Sequence, residues 1–342
     1  MQITLTGLCG GYRSLSIIGM CKNAGKTTAL NRMIAEYDRQ GVVLGLTSIG
    51  RDGESRDVVT TTPKPRIYIR SGTLFATAAG LLPLCDMTRE VLYATGIATP
   101  LGEVVLFRAL SDGYVQLAGP SMNRQLMGVR TLFEEFGAEK IIIDGAISRR
   151  SLCSRAVTEA TVLCTGASCH KDLDTVVSMT KHICDILNLP ELADRALAET
   201  LEQSGEKLRF YTGEHEAVRP AADDADESAF LKRRGDVRYL AVSGAVTDAV
   251  ISPLVLSGVP LEELTLVAED ASKVLAGEEW MSRFTRRGGT FAVRDAVSLR
   301  AVTVNPVSAY GYRFEAKVLK EKMTAALPVP VIDVKEDEPC LN

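Results

Sequence analysis

The sequence predicts an α/β fold, a mostly parallel sheet with helices on both faces, followed by a smaller C-terminal α/β domain. Three observations predict it. Short apolar runs alternate with amphipathic helical stretches through residues 15–190, the pattern of strand–helix–strand units. A glycine-containing turn joins the first run, Leu15 to Ile18, to the first helix. A later run, Ile141-Ile142-Ile143, ends in an acid, Asp144, at the carboxyl end of a strand whose β-branched residues suit burial on both faces.

The turn reads GMCKNAGKTT over residues 19–28. A strand, a loop ending in Gly-Lys-Thr and a helix together make a phosphate-binding loop, and so point to a P-loop NTPase domain. Backbone N–H groups at a helix N-terminus face an anion, and the helix dipole adds roughly half a positive charge there. Gly25 removes a Cβ where phosphate approaches, Lys26 neutralises β- and γ-phosphate oxygens, and the Thr27 hydroxyl joins a Mg²⁺ shell. The expected nucleotide contacts are therefore Gly19, Asn23, Ala24, Gly25, Lys26, Thr27 and Thr28. The spacing departs from GxxxxGK[ST], which places glycine where Met20 stands; Gly19 leaves a longer loop. Cys21 lies inside it, near a positive helix end that lowers a thiol pKa. It reads either as a reactive thiol or as an inert small residue.

Residues 27–40 read as a helix with Leu30, Met33, Ile34 and Tyr37 on one side, ended by Gly41. Val42 to Thr47 is a buried strand, and the loop after it, Ser48 to Glu54, is placed at the ligand edge of the sheet. Asp52 is a second Mg²⁺ candidate there and Arg51 a counter-charge to phosphate, unless both belong to a solvated turn. Residues 55–65 read as a switch loop, 66–70 as a strand and 73–84 as a helix. Ser111-Asp112-Gly113 signals a hairpin between 104–109 and 114–117. Residues 121–136 form an amphipathic helix ahead of the 140–146 strand. Asp144 then fits the acid that holds Mg²⁺ opposite a phosphate loop, so Lys26, Asp52 and Asp144 are the expected catalytic group and Thr27, Asp52 and Asp144 the metal ligands. Arg149 and Arg150 follow at the same rim, placed either for phosphate or for solubility. A strand at 161–165 and a helix at 172–187 complete a domain over 1–190. No [NT]KxD motif that reads guanine is found, which favours ATP.

Residues 191–236 carry charge blocks such as Asp223-Asp224 and Lys232-Arg233-Arg234, and read as a connecting region. Strands at 239–242, 264–267, 290–293 and 301–304, with helices between, predict a third segment, 237–342, as a smaller α/β domain that serves as a partner-binding module. Asn305-Pro306 and Tyr310 to Tyr312 read there as a structural turn or as a binding rim.

The composition sets limits on this reading. The chain has 342 residues, 46% hydrophobic and 24% charged, with net charge −4, which argues against general nucleic-acid binding. No basic leader precedes an apolar core, and no run reaches about 18 uncharged apolar residues, so neither secretion nor a membrane span is expected. Eight cysteines without CxxC pairs read as reduced thiols in a cytoplasmic protein.

Several stretches together resemble one family: GMCKNAGKTT, LTSIGRDGE, TPLGEVVLFRALSDGYVQLAGPS, IIIDGAISRRS and TGASCHKDLDTVV. They are similar to the KamB-type subunit of the lysine aminomutase reactivase of amino-acid fermentation, over most of residues 12–190. The loop also resembles those of dethiobiotin synthetase and of a molybdopterin guanine dinucleotide biosynthesis protein. The first resemblance implies ATP and Mg²⁺, a MutS-like ATPase subunit as partner, and a cobalamin-dependent lysine or ornithine aminomutase as client. The second implies an alternative, an enzyme phosphorylating a small carboxylate or carbamate, with Arg108, Arg124 and Arg149 as a basic clamp.

Overall fold

The computed structural model describes residues 4–50, 66–146, 157–202, 207–221 and 226–335. In chain order the elements begin with α1 (Leu5–Leu8), β1 (Ser14–Gly19), α2 (Lys26–Arg39), β2 (Leu44–Ser48), β3 (Ile67–Ile69) and β4 (Leu74–Ala78). They continue with β5 (Arg89–Thr99), β6 (Gly102–Ala109), β7 (Gly113–Val115), α3 (Asn123–Glu135), β8 (Lys140–Ala146), β9 (Ala160–Gly166) and α4 (Leu173–Leu187). Next come α5 (Arg195–Glu202), β10 (Leu208–Thr212), β11 (Ala217–Val218), α6 (Glu227–Arg233), β12 (Val237–Val242), α7 (Asp248–Leu256) and β13 (Thr265–Asp270). The last are α8 (Glu278–Arg286), β14 (Thr290–Asp295), β15 (Ser298–Asn305), α9 (Ala316–Ala326) and β16 (Val331–Asp333).

The expected α/β class is observed: a nine-stranded sheet runs β16-β15-β9-β1-β8-β2-β4-β6-β5. It is parallel from β16 through β4 and antiparallel at β6 and β5. Every residue of β1, β2 and β9 is buried, as strands covered on both faces must be. Helix α2 turns Leu30, Met33, Ile34 and Tyr37 into the same core as Leu15, Ile17, Leu46 and Ile142. Each such aliphatic side chain contributes roughly 1.5–3 kcal/mol on burial. The face of α3 made by Leu126, Val129 and Phe133 is buried in the same way. Among the described residues no helix is long and apolar enough to cross a membrane.

The chain divides differently from the linear expectation of 1–190, 191–236 and 237–342. One compact unit is Met1–Cys184 with Ser298–Asn342; the other is Asp185–Val297. The second unit has its own five-stranded sheet, β11-β10-β12-β13-β14, parallel across β12, β13 and β14. Residues 191–236 are not merely a connector: they supply β10, whose Phe210 and Tyr211 are buried, and α5, whose Leu197 and Leu201 join a core with Tyr211, Ala241 and Val267. The surface charge of the segment hides these few apolar anchors. Residues 298–333, assigned by sequence to the C-terminal domain, return instead to the first sheet, where β15 pairs with β9. A buried apolar strand carries no local mark of which sheet it joins.

Two local readings are also corrected. Residues 74–78 are a strand between β2 and β6 and only 79–84 are helical, as a 3₁₀ turn containing Pro83. The hairpin is β5–β6, turning at Pro100 and Leu101, whereas Ser111-Asp112-Gly113 carries the chain from β6 to β7, which pairs with β3. Asp112 is held there by the Arg70 guanidinium at 2.5 Å and the Ser71 backbone N–H at 2.9 Å.

Candidate functional site

Strand β1 lies between β8 and β9, so its carboxyl end opens at the middle of the parallel strands, where open α/β sheets bind ligands. Ile17 stands opposite Asp144 on one side, and Gly19 opposite Cys164 on the other. The Met20 N–H donates to the Cys164 carbonyl at 2.9 Å, and the chain then leaves the sheet. It turns through two left-handed residues, Asn23 (φ 62°) and Gly25 (φ 97°), and enters α2 at Lys26. Glycine meets that conformation without the penalty a Cβ brings, about 1–2 kcal/mol. Helix α2 has neither a side-chain cap nor an acidic residue in its first turn. Its first N–H groups and dipole thus present uncompensated positive character toward the loop.

The shifted glycine has a reason in the fold. A Cβ on Gly19 would lie 2.8–2.9 Å from Cγ, Cδ and Nζ of Lys26, so the lysine side chain lies back over Gly19. Close packing of the loop against Lys26 needs a missing Cβ at Gly19, at the end of β1. Gly19, Asn23, Ala24, Gly25, Lys26, Thr27 and Thr28 therefore belong to one turn and the first turn of one helix.

Asp144 is half-buried near the carboxyl end of β8, in register with Ser48 of β2 as well as with Ile17. Its backbone carbonyl accepts from Ile49 N–H at 2.9 Å, and Gly50 N–H donates to the Pro120 carbonyl. The start of the Ser48–Glu54 loop thus sits beside Asp144, at the edge the sequence assigned to it. Asp52, Arg51, Arg149 and Arg150 lie outside the described residues.

Arg108 does not join the basic clamp expected beside the loop. Arg108 pairs with Leu74, the first residue of β4, and so lies at the amino-terminal edge of the parallel strands, opposite the Lys26 loop. Strands β8, β2 and β4 separate it from β1, and its guanidinium is 3.3 Å from Glu90. Arg124 is exposed on the first turn of α3, and Arg149 is outside the described residues.

The segment after β15 is brought to the loop instead. Asn305 Nδ2 donates to the Asn23 carbonyl at 3.2 Å, and a Cβ on Gly25 would sit 3.3 Å from Asn305 Cβ. Tyr312 Oη donates to the Ala167 carbonyl at 2.8 Å, and Ala309 N–H donates to Ser168 Oγ at 3.1 Å. This 305–312 turn thus buttresses both the β1–α2 loop and the turn after β9. No sequence signal connects Asn305 to Asn23, which lie 282 positions apart.

A second contact missed by sequence reasoning joins Cys21 to Cys169, whose sulfurs are 2.6 Å apart as free thiols. The expectation of a lowered pKa at Cys21 is reversed. The hydrogen bond it shares with Cys169, then burial, raises Cys21. The same hydrogen bond lowers Cys169 to about 7 against the burial that opposes it, and Lys26 contributes in the same direction. Cys164, deeper beneath the loop, is pushed up to about 11 by burial.

No family model, curated protein or solved structure matches the chain.

Proposed function

We propose that the first unit is a P-loop NTPase domain that binds ATP with Mg²⁺, and that the chain uses hydrolysis to remodel a protein partner. The observation that carries the nucleotide reading is the Gly19–Thr28 turn. Lys26 covers a cradle that a Cβ would fill, beside a helix start without side-chain or acidic compensation. Backbone N–H groups of residues 24–28 orient the phosphates, Lys26 neutralises their charge, and Thr27 with Asp144 holds the cation. Held by Thr27 and Asp144, Mg²⁺ would supply charge screening for transfer of the terminal phosphoryl to water. Among the described residues no three His, Cys, Asp or Glu side chains gather as a metal cage. A Mg²⁺ held by one or two protein oxygens, substrate phosphates and water needs none.

Thr27→Ala and Asp144→Asn are expected to lower Mg²⁺-dependent ATP hydrolysis at least about tenfold while changing ATP affinity far less, because their oxygens serve the cation. Steady-state hydrolysis beside calorimetry checks this. Full turnover in both variants would remove the metal roles.

The partner reading rests on the resemblance to the reactivase subunit, and is favoured over a carboxylate or carbamate kinase by the position of Arg108 at the far edge of the sheet. The partners are then the MutS-like ATPase subunit and the cobalamin-dependent aminomutase, with unit 185–297 as the docking module. Hydrolysis should be slow alone and rise when the MutS-like subunit and an inactivated aminomutase are added. An arginine supplied by a partner is worth on the order of 10³ to 10⁵ in rate. With ATP and fresh adenosylcobalamin, the mixture should regain aminomutase turnover. Restoration in the absence of this chain would overturn the partner reading, and rapid turnover on a small carboxylate alone would replace it.

A further inference from the structure

We propose that Cys21 and Cys169 form a reversible redox site, a dithiol that closes to a disulfide across the base of the β1–α2 loop under a peroxide. The two thiols come from different parts of the fold. Cys21 lies in the loop that follows β1, and Cys169 lies in the turn between β9 and α4. Parallel pairing of β1 with β9, extended by the Met20 N–H bond to the Cys164 carbonyl, brings these two turns together. The Cys169 N–H donates to the Gly166 carbonyl at 3.0 Å, which fixes the tight turn that aims its sulfur at Cys21. The resulting 2.6 Å separation is already close to the ~2.05 Å of a disulfide bond, so closure requires little backbone movement. Both residues are half-buried, which leaves a path for a small oxidant.

The charges favour attack by Cys169. The hydrogen bond shared with Cys21, helped by Lys26, holds the Cys169 thiol low while Cys21 is held high, which favours Cys169 as the attacking sulfur. Reactive cysteines have this setting of positive charge, partial exposure and a resolving thiol alongside. In the first step the Cys169 thiolate attacks one peroxide oxygen and the O–O bond breaks. Hydroxide leaves, and the sulfur becomes a sulfenic acid. In the second, Cys21 sulfur attacks Cys169 sulfur, the S–S bond forms and the S–O bond breaks. The departing hydroxide takes the Cys21 proton as water. The dithiol loses two electrons and the peroxide gains them; an external thiol reverses the change.

The bond would pin Cys21, three residues before Ala24 and five before Lys26, to the β9 side. Its consequence for ligand binding rests on the nucleotide reading; the bond itself does not.

The test uses the full chain, reduced, freed of reductant and exposed to hydrogen peroxide. Remaining thiols are then blocked with N-ethylmaleimide and the protein is digested without reduction. Mass spectrometry should find the Cys21 and Cys169 peptides joined, separating again with dithiothreitol. In Cys21→Ser the link should be absent, and Cys169 should be trapped as its sulfenic acid by dimedone. Cys169→Ser should protect Cys21 from oxidation. Recovery of both wild-type cysteines as maleimide adducts, or their pairing with other cysteines to the same extent, would overturn the proposal. Calorimetry on the oxidised chain should show ATP affinity lowered about tenfold and recovered on reduction. Equal affinity in the two states would overturn the effect on the loop. A reduced chain that binds no ATP would instead overturn the nucleotide reading and leave the disulfide standing.

Discussion

Lys26→Ala should weaken ATP binding by about 100-fold or more and leave the fold unchanged. The ammonium is carried at the first position of α2, and its stem lies over Gly19. Hydrogen bonds to charged groups are worth roughly 1.5–3 kcal/mol each. Losing contacts to more than one phosphate oxygen therefore reaches or exceeds two powers of ten in Kd. Calorimetry with ATP and Mg²⁺ measures this, and circular dichroism with a urea titration verifies the fold. An ATP affinity equal to that of the parent chain would end the assignment of this loop. The same variant should fail to restore aminomutase turnover in the reconstituted mixture.

Glu36→Ala should do the opposite, lowering stability by about 3–5 kcal/mol with little change in the loop's chemistry. Glu36 is 4% exposed on the inner face of α2. It accepts from Arg32 Nε at 2.5 Å, and from Thr6 N–H and Oγ1 at 3.0 and 2.9 Å, which fastens α1 to α2. Arg32 is also buried. Truncation takes away the carboxylate that balances this guanidinium in a low-dielectric setting, and breaking a buried pair costs far more than an exposed one. Glu36→Gln keeps oxygen at the same place and should cost less. Urea unfolding decides it: a loss below about 1 kcal/mol for the alanine variant would show that this network contributes little. Together the two variants separate binding from stability on one helix, ten residues apart.

The parts legible in the sequence are those whose cause is local. Buried parallel strands are written as apolar runs such as Ser14–Gly19 and Ile141–Ile143, and α2 as apolar residues at helical spacing. The turn between β1 and α2 is equally local, because Gly25 takes its left-handed conformation and Lys26 opens the helix within one short segment. The place of Asp144 near the carboxyl end of β8 was legible because a strand's carboxyl end is where its apolar run stops. Asp52 shares that logic but lies outside the described residues.

What only the tertiary structure decided is which strand lies beside which. Strand β15 could pack against either sheet by its own pattern; pairing with β9 takes it to the first unit and sets Asn305 against the loop. That pairing makes Asp185–Val297 an insertion between two parts of one sheet. The same cause explains the helix read at 73–84, since Leu74–Ala78 becomes a strand through its partners β2 and β6. It also explains the thiols: nothing in the neighbourhood of Cys21 specifies Cys169, 148 positions away, until β1 and β9 are side by side. Local sequence determines periodicity and turn chemistry through short-range sterics and burial. Strand order is a sum of long-range pairings, and it settled which residues meet at the mouth of β1.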